Sequence, residues 1–171
     1  MVLKKRLRRG QVHTFFAGLK PCLVGMEACA TAHSWARKLR ALGHDVRLMP
    51  PQYAKAYLRR GKNDAADAAA ICEAVTRPSM RFVPVKEESQ QAGLMLHRVR
   101  DLLARQRTQL INAIRGHLAD FGLVEAQGPW NLSRLLAGME DASLPELVRG
   151  LVRLLAGHLD EVELRIAGID A

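Results

Sequence analysis

The sequence predicts an α/β layered domain followed by long helices, and three observations carry that reading. Short apolar runs alternate with helix-forming stretches over residues 20–85. No proline interrupts the chain between Pro84 and Pro129. Apolar residues then recur at steps of 4, 3, 4, 3 and 4 from Val148 through Val152, Leu155, Leu159 and Val162 to Ile166, the spacing of a heptad seam.

In chain order, residues 2–9 alternate weakly among basic side chains and predict an edge strand. Residues 11–19 place Val12, Phe15, Phe16 and Leu19 at helical spacing. After Pro21, the apolar run at residues 22–26 predicts a buried strand ending at Glu27. Residues 32–42 form a helix with Trp35, Leu39 and Leu42 on one side, stopped by Gly43. Residues 46–49 give a second strand, closed by Pro50 and Pro51. A short helix over 52–58 and a turn at 61–63 precede an alanine-rich helix over 64–75, which Pro78 ends. Residues 80–85 predict a third strand. Residues 87–121 read as one long helix despite Gly93 and Gly116, with Val99, Leu103, Leu110, Ile114, Leu118 and Phe121 on a shared side and Gly122 as its cap. Asn131 or Ser133 then caps a short helix, and the seam from Val148 predicts a helical hairpin or a coiled-coil arm.

The chain has 171 residues, 49% hydrophobic and 25% charged. That composition excludes wholesale disorder and a disulfide-stapled mini-protein. No run approaches the ~20 apolar residues of a membrane span. Gly10 and Gln11 stand where a signal peptide would carry its apolar core. A soluble, cytoplasmic protein is expected. Cys22, Cys29 and Cys72 are odd in number and lack a CxxC pair, so they read as buried free thiols.

The net charge is +9, with 19 arginines and 7 lysines, and its distribution is uneven. Residues 1–62 carry 14 basic and 2 acidic side chains, whereas residues 127–171 carry 4 and 7. Arginine-rich charge concentrated in one third of a chain suits a polyanion such as nucleic acid, against the alternative of a solubilising surface.

Few residues could carry chemistry. Glu27 follows an apolar strand, where α/β folds place functional groups, although such a carboxylate is often only solvated. Asp64 and Asp67 lie three apart at a helix start and share one face. As hard oxygen donors they suit Mg²⁺ or Mn²⁺, and as helix-start acids they equally suit an N-cap and a capping box. Arg59, Arg60 and Lys62 flank them and could hold phosphates. Gly61-Lys62 is not a P-loop, because Ala56 stands where the first glycine is needed. The six histidines do not cluster and none is assigned to catalysis. There is no G-x-S-x-G elbow.

Longer stretches resemble a known family. They are residues 22–29 (Cys-Leu-Val-Gly-Met-Glu-Ala-Cys), residues 32–37, residues 42–51 from Leu42 to Pro51, residues 60–68 (Arg-Gly-Lys-Asn-Asp-Ala-Ala-Asp-Ala), residues 81–85 and residues 106–112. In this order they resemble insertion-sequence transposases of the IS-one-ten type, relatives of the Piv DNA invertase. The resemblance covers residues 3–128.

It implies a RuvC-like, RNase H-type catalytic domain in residues 1–86 and a helical coiled-coil or linker region in residues 87–171. It further implies a DEDD set of carboxylates binding two Mg²⁺ (or Mn²⁺), with Glu27, Asp64 and Asp67 as catalytic and metal-binding members. Arg59, Arg60 and Lys62 are the expected nucleic-acid contacts. DNA is the implied partner, in some members together with an element-encoded structured RNA, and the helical region implies a homo-oligomer. The implied activity is metal-dependent strand cleavage and recombination in DNA transposition.

The family's first aspartate lies on a strand upstream of the matched text, and its serine-bearing C-terminal domain follows it. The chain is therefore expected to be truncated at both ends, with an incomplete RuvC-like domain and an incomplete metal site. The alternative function is an inactive remnant that only binds nucleic acid or dimerises. A plain interaction module using the seam alone ignores the N-terminal motifs.

Overall fold

The computed structural model describes residues 5–56 and 64–171. These fall into two compact units, Met1–Gln91 and Ala92–Ala171.

The first unit is built on a parallel β-α-β element. Strands β1 (Leu23–Glu27) and β2 (Asp45–Met49) pair in parallel, with Leu23 opposite Asp45 and Glu27 opposite Met49. The connecting helix α2 is Ala32–Ala41, and a shorter helix α1 (Val12–Ala17) precedes β1. Alternation along the strands sends Val24, Met26, Val46 and Leu48 to one face. There they pack with Ala32, Ala36 and Leu39 of α2 and with Phe16. Gly43 ends α2 at a φ of +90°. Its N–H donates to the Arg40 carbonyl at 2.8 Å and the His44 N–H to that of Leu39 at 3.2 Å, the paired bonds of a Schellman cap.

His44 is buried in this unit. Its Nδ1 accepts from the Cys22 N–H at 3.2 Å, and its Nε2 lies 3.0 Å from the Phe16 carbonyl oxygen. In the tautomer that accepts at Nδ1, Nε2–H donates to that carbonyl. One ring thus ties α1 to the start of β1.

The opposite face of the sheet is covered by helix α4 (Asp64–Ala74), which follows the short helix α3 (Pro51–Ala56). Met49, Ala74 and Val75 form this second core with Ile71, Met80 and Phe82.

The structure departs from the sequence expectation at several places. Residues 5–8 form no strand: a 3-10 turn at Arg9–Gln11 follows, and the Gln11 side chain accepts from the Arg8 N–H at 2.9 Å. Residues 80–85 contribute only an antiparallel bridge between Val83 and Leu48. Pro84 lacks the N–H that a ladder would need next. The three cysteines are exposed: Cys22 precedes the strand, Cys29 lies beyond it, and Cys72 is on the outer side of α4.

Helix α2 also clamps the segment after the bridge. Arg37 donates to the Lys86 carbonyl and to Gln91 Oε1, both at 2.6 Å. His33 Nδ1 accepts from the Lys86 N–H at 3.2 Å. Burial first, then the charges of Lys86 and Arg37, hold the His33 pKa below its ordinary value. The folded state therefore favours the neutral ring. Its contribution is complete above the unfolded value of about 6.5 and is lost as pH falls through the lower folded value. The urea midpoint of the chain is expected to drop between about pH 7 and pH 5. In His33→Gln, which keeps an acceptor but does not titrate, the drop should be smaller. An equal drop would remove His33 as its cause.

The second unit holds most of helix α5 (Glu88–Ala119, 32 residues), helix α6 (Pro129–Asp141) and helix α7 (Glu146–Asp170). Gly93 and Gly116 do not break α5. The seam lies along α7: Val152, Leu159, Val162 and Ile166 are buried, and Val148 and Leu155 are partly so. It packs within the chain. Leu103 meets Val162 and Ile166, while Ile114 and Leu118 share a core with Val152, Leu159 and the α6 residues Leu132, Leu135 and Met139. Helices α5 and α7 are thus an antiparallel hairpin. Arg100 closes one end, its Nε 2.5 Å from Asp170 Oδ1.

Gly122 caps α5 as expected, whereas Val99 and Phe121 are exposed rather than on the buried side. Helix α6 starts at Pro129 after Gly128, not after Asn131 or Ser133; proline at the first helical position lacks only an N–H that would be unpaired anyway. In the loop before it, Arg115 donates to the carbonyls of Glu125, Ala126 and Gly128 at 3.0, 3.0 and 3.2 Å. Among the described residues no helix is long and apolar enough to cross a membrane.

Candidate metal and nucleic-acid site

The candidate site is organised by a glycine. Gly25 lies in the middle of β1, on the face turned toward α4. A Cβ built there would stand 2.9 Å from Val75 Cβ and 3.0 Å from Ile71 Cγ2. The helix therefore rests directly on the strand backbone. A glycine inside a strand is the mark of such an approach, and the apolar run around it hid that meaning in the sequence.

Two placements follow. Glu27 is two residues beyond Gly25 and so projects to the same face of the sheet. It is exposed, at the C-terminal end of a parallel strand, and its carbonyl accepts from the Cys29 N–H at 2.9 Å. Asp67 is one turn before Ile71 and lies on the same side of α4 as that residue. Glu27 and Asp67 thus belong to the same side of the sheet. Asp64 opens α4, but its side chain lies outside the described residues, as do Arg59, Arg60 and Lys62.

The chemistry of Asp67 is distinctive. Its Oδ1 is buried and finds no hydrogen-bond partner among the described residues. A buried polar oxygen without a partner costs about 1–3 kcal/mol, and capping does not engage this one. A hard cation is the partner that such an oxygen suits. Among the described residues, no three histidine, cysteine, aspartate or glutamate side chains cluster to hold a metal ion.

Arg47 stands opposite Gly25 on β2 and shares its face. It pairs with Asp45 at 3.0 Å, and its guanidinium lies 5.3 Å from the Phe82 ring centroid. This cation on the carboxylate face was not singled out in the sequence, where it reads as one arginine among many; its even spacing from Asp45 and Met49 was the available clue.

Comparison with known proteins places the chain. Residues 6–122 match the model of the IS110-type DEDD transposases, described as "Transposase". A probable family 20 transposase of Pseudomonas aeruginosa is 48% identical over 174 residues, covering 99% of this chain and 52% of the relative. A putative transposase, y4pF/y4sB, of Sinorhizobium fredii is 48% identical over 170 residues, covering 99% and 44%. The transposase for insertion sequence element IS1328 of Yersinia enterocolitica is 43% identical over 169 residues, covering 95% and 51%. The chain spans about half the length of these curated relatives. No solved structure matches it significantly. With most of its length matched both by the family model and by these relatives, the chain belongs to the DEDD transposases of the IS110 type.

Proposed function

We propose that this chain forms part of an insertion-sequence transposase that binds and cuts DNA, with Glu27, Asp64 and Asp67 holding Mg²⁺ or Mn²⁺. The observation that carries this reading is the unpartnered, buried Asp67 Oδ1 on the side of the sheet that Glu27 shares. Bound Mg²⁺ supplies Lewis acidity at a phosphodiester. The chain's own groups do the rest. The carboxylates fix the ion, α4 sets their spacing by resting on Gly25, and Arg59, Arg60, Lys62 and Arg47 neutralise phosphates. Residues 1–86 are the RuvC-like catalytic part and residues 87–171 the helical region, through which the protein assembles with further copies. An element-encoded structured RNA is a second polyanion that the basic third would accept.

Binding to duplex DNA and to structured RNA, measured across salt concentrations, tests the polyanion part. Affinity should fall steeply with salt, and removing Arg59, Arg60 and Lys62 together should lower the log–log slope by about 2 to 3. A flat salt response would sink the assignment of the basic third. Mn²⁺ titration by calorimetry tests the ion. Saturable binding lost in Glu27→Gln supports a cutting enzyme. Tight DNA binding with no Mn²⁺ uptake supports a protein that binds without cutting.

A further inference from the structure

All three cysteines are exposed, but only one has a base beside it. Cys22 Sγ lies 3.5 Å from His44 Nδ1. Cys29 has only the Thr31 hydroxyl, at 4.0 Å, and Cys72 makes no side-chain hydrogen bond among the described residues. Two local features bring Cys22 and His44 together. Gly43, at a φ of +90°, turns the chain out of α2 so that the next residue enters the fold. Pro21 packs on that turn, its Cγ 3.5 Å from where a Gly43 Cβ would stand, and so places Cys22. The His44 ring is 4% exposed, meets the Phe16 ring edge to face at 5.6 Å and has its Nε2 held at the Phe16 carbonyl. The thiol faces water while its base is buried and oriented. A nucleophile, a base within reach and a third group that orients the base are the parts of an activated nucleophile. The surroundings favour an anion. No acidic residue precedes Glu27 in the chain, Lys20 is exposed two positions before Cys22, and Asp45 is paired with Arg47 at 3.0 Å. Neither metal nor phosphate binding uses this pair.

We propose that Cys22 is a modification site that exchanges with a small anionic disulfide, with His44 as its base. In the tautomer that donates at Nε2, Nδ1 offers the lone pair that takes the thiol proton. Cys22 Sγ attacks one sulfur of the incoming disulfide. A new S–S bond forms, the old one breaks, and the departing thiolate takes the proton back from Nδ1. Cys22 is thereby oxidised to a mixed disulfide, and the other half of the reagent is reduced to a free thiol. While the proton is on Nδ1, the Cys22 N–H gives up its acceptor, and it regains it when the thiol departs. The adduct stands at the entry to β1, at the opposite end of the strand from Glu27, and adds negative charge to the most basic third of the chain.

Reaction with dithiobis(nitrobenzoate), an anionic disulfide that releases a coloured thiolate, tests this on three full-length chains that each keep one cysteine, the other two changed to serine at exposed positions. At pH 7 the chain that keeps Cys22 should react about tenfold faster than those that keep Cys29 or Cys72, a fraction of what a closely held base can supply. In concentrated urea the three should react alike. His44→Gln should bring the Cys22 rate down to that of Cys72, with the fold checked by circular dichroism. Cys22 reacting no faster than the others in the folded chain overturns the proposal. An advantage that persists in urea overturns it too, because the flanking sequence and not the folded pair would then be its source. So does a folded His44→Gln chain in which Cys22 stays fast. Should His44→Gln fail to fold, the comparison of folded and urea-treated chains with His44 intact decides alone.

Discussion

Gly25→Val should be the most damaging single change in the first unit. The new Cβ would lie 2.9 Å from Val75 Cβ and 3.0 Å from Ile71 Cγ2. Val75 Cβ is fixed to the backbone of the turn that ends α4, where the Val75 N–H donates to the Ile71 carbonyl at 3.0 Å, and cannot swing aside, so α4 must lift off the sheet. Overpacking of this kind costs typically 1–3 kcal/mol, and a branched residue against a backbone-rooted atom belongs at about 3 kcal/mol. Valine would otherwise favour a strand, so propensity works against the expected loss. Urea unfolding measures it. Unchanged stability would mean that α4 does not rest on β1. Because α4 also carries Asp64 and Asp67, the same variant should lose Mn²⁺ binding under conditions where it is still folded.

Asp67→Asn should separate stability from function. The substitution keeps the shape of the side chain and removes its charge from a position where Oδ1 has no hydrogen-bond partner. The metal-free protein should therefore lose no stability. Its response to Mn²⁺ should collapse. Removing groups that merely support a ligand typically costs 10–100-fold in metal affinity, so loss of Asp67 as the proposed ligand should cost at least about 100-fold. Thermal melting with and without Mn²⁺ reads both effects. An asparagine variant that melts earlier than wild type but is stabilised by Mn²⁺ to the same degree would make Asp67 a structural residue.

Local rules in the sequence reached much of this fold. The Gly43 cap, the two apolar runs and the intervening helix are each specified within a few residues, and they appear as the parallel β-α-β element. The α7 seam was legible for the same reason, since helical period is written along one segment. What covers that seam was not legible, because a heptad pattern reads the same whether its partner is α5 or another molecule. The third strand failed at Pro84, where an apolar alternation met a residue unable to extend the ladder. The exposed cysteines failed because burial depends on which side of an element faces the core.

In the candidate site, Glu27 was visible as a strand-end acid and Asp67 as one of a pair, but the metal chemistry proposed for them came from the family resemblance. That they share a side of the sheet depends on Gly25, a residue whose importance lies in the side chain it lacks. Arg47 was hidden by the abundance of arginine around it.

Arg115 has a consequence of its own. A single planar fork gathers three carbonyls from the turn that joins the first long rod of the second unit to the next one. Lysine, a point donor on a flexible stem, lacks the fixed fork that reaches across all three. The bend is therefore braced chiefly by one side chain, with the Asn131 amide on the Gln127 carbonyl and the Arg134–Glu125 pair beside it, and a chain that loses the guanidinium loses three of these ties at once.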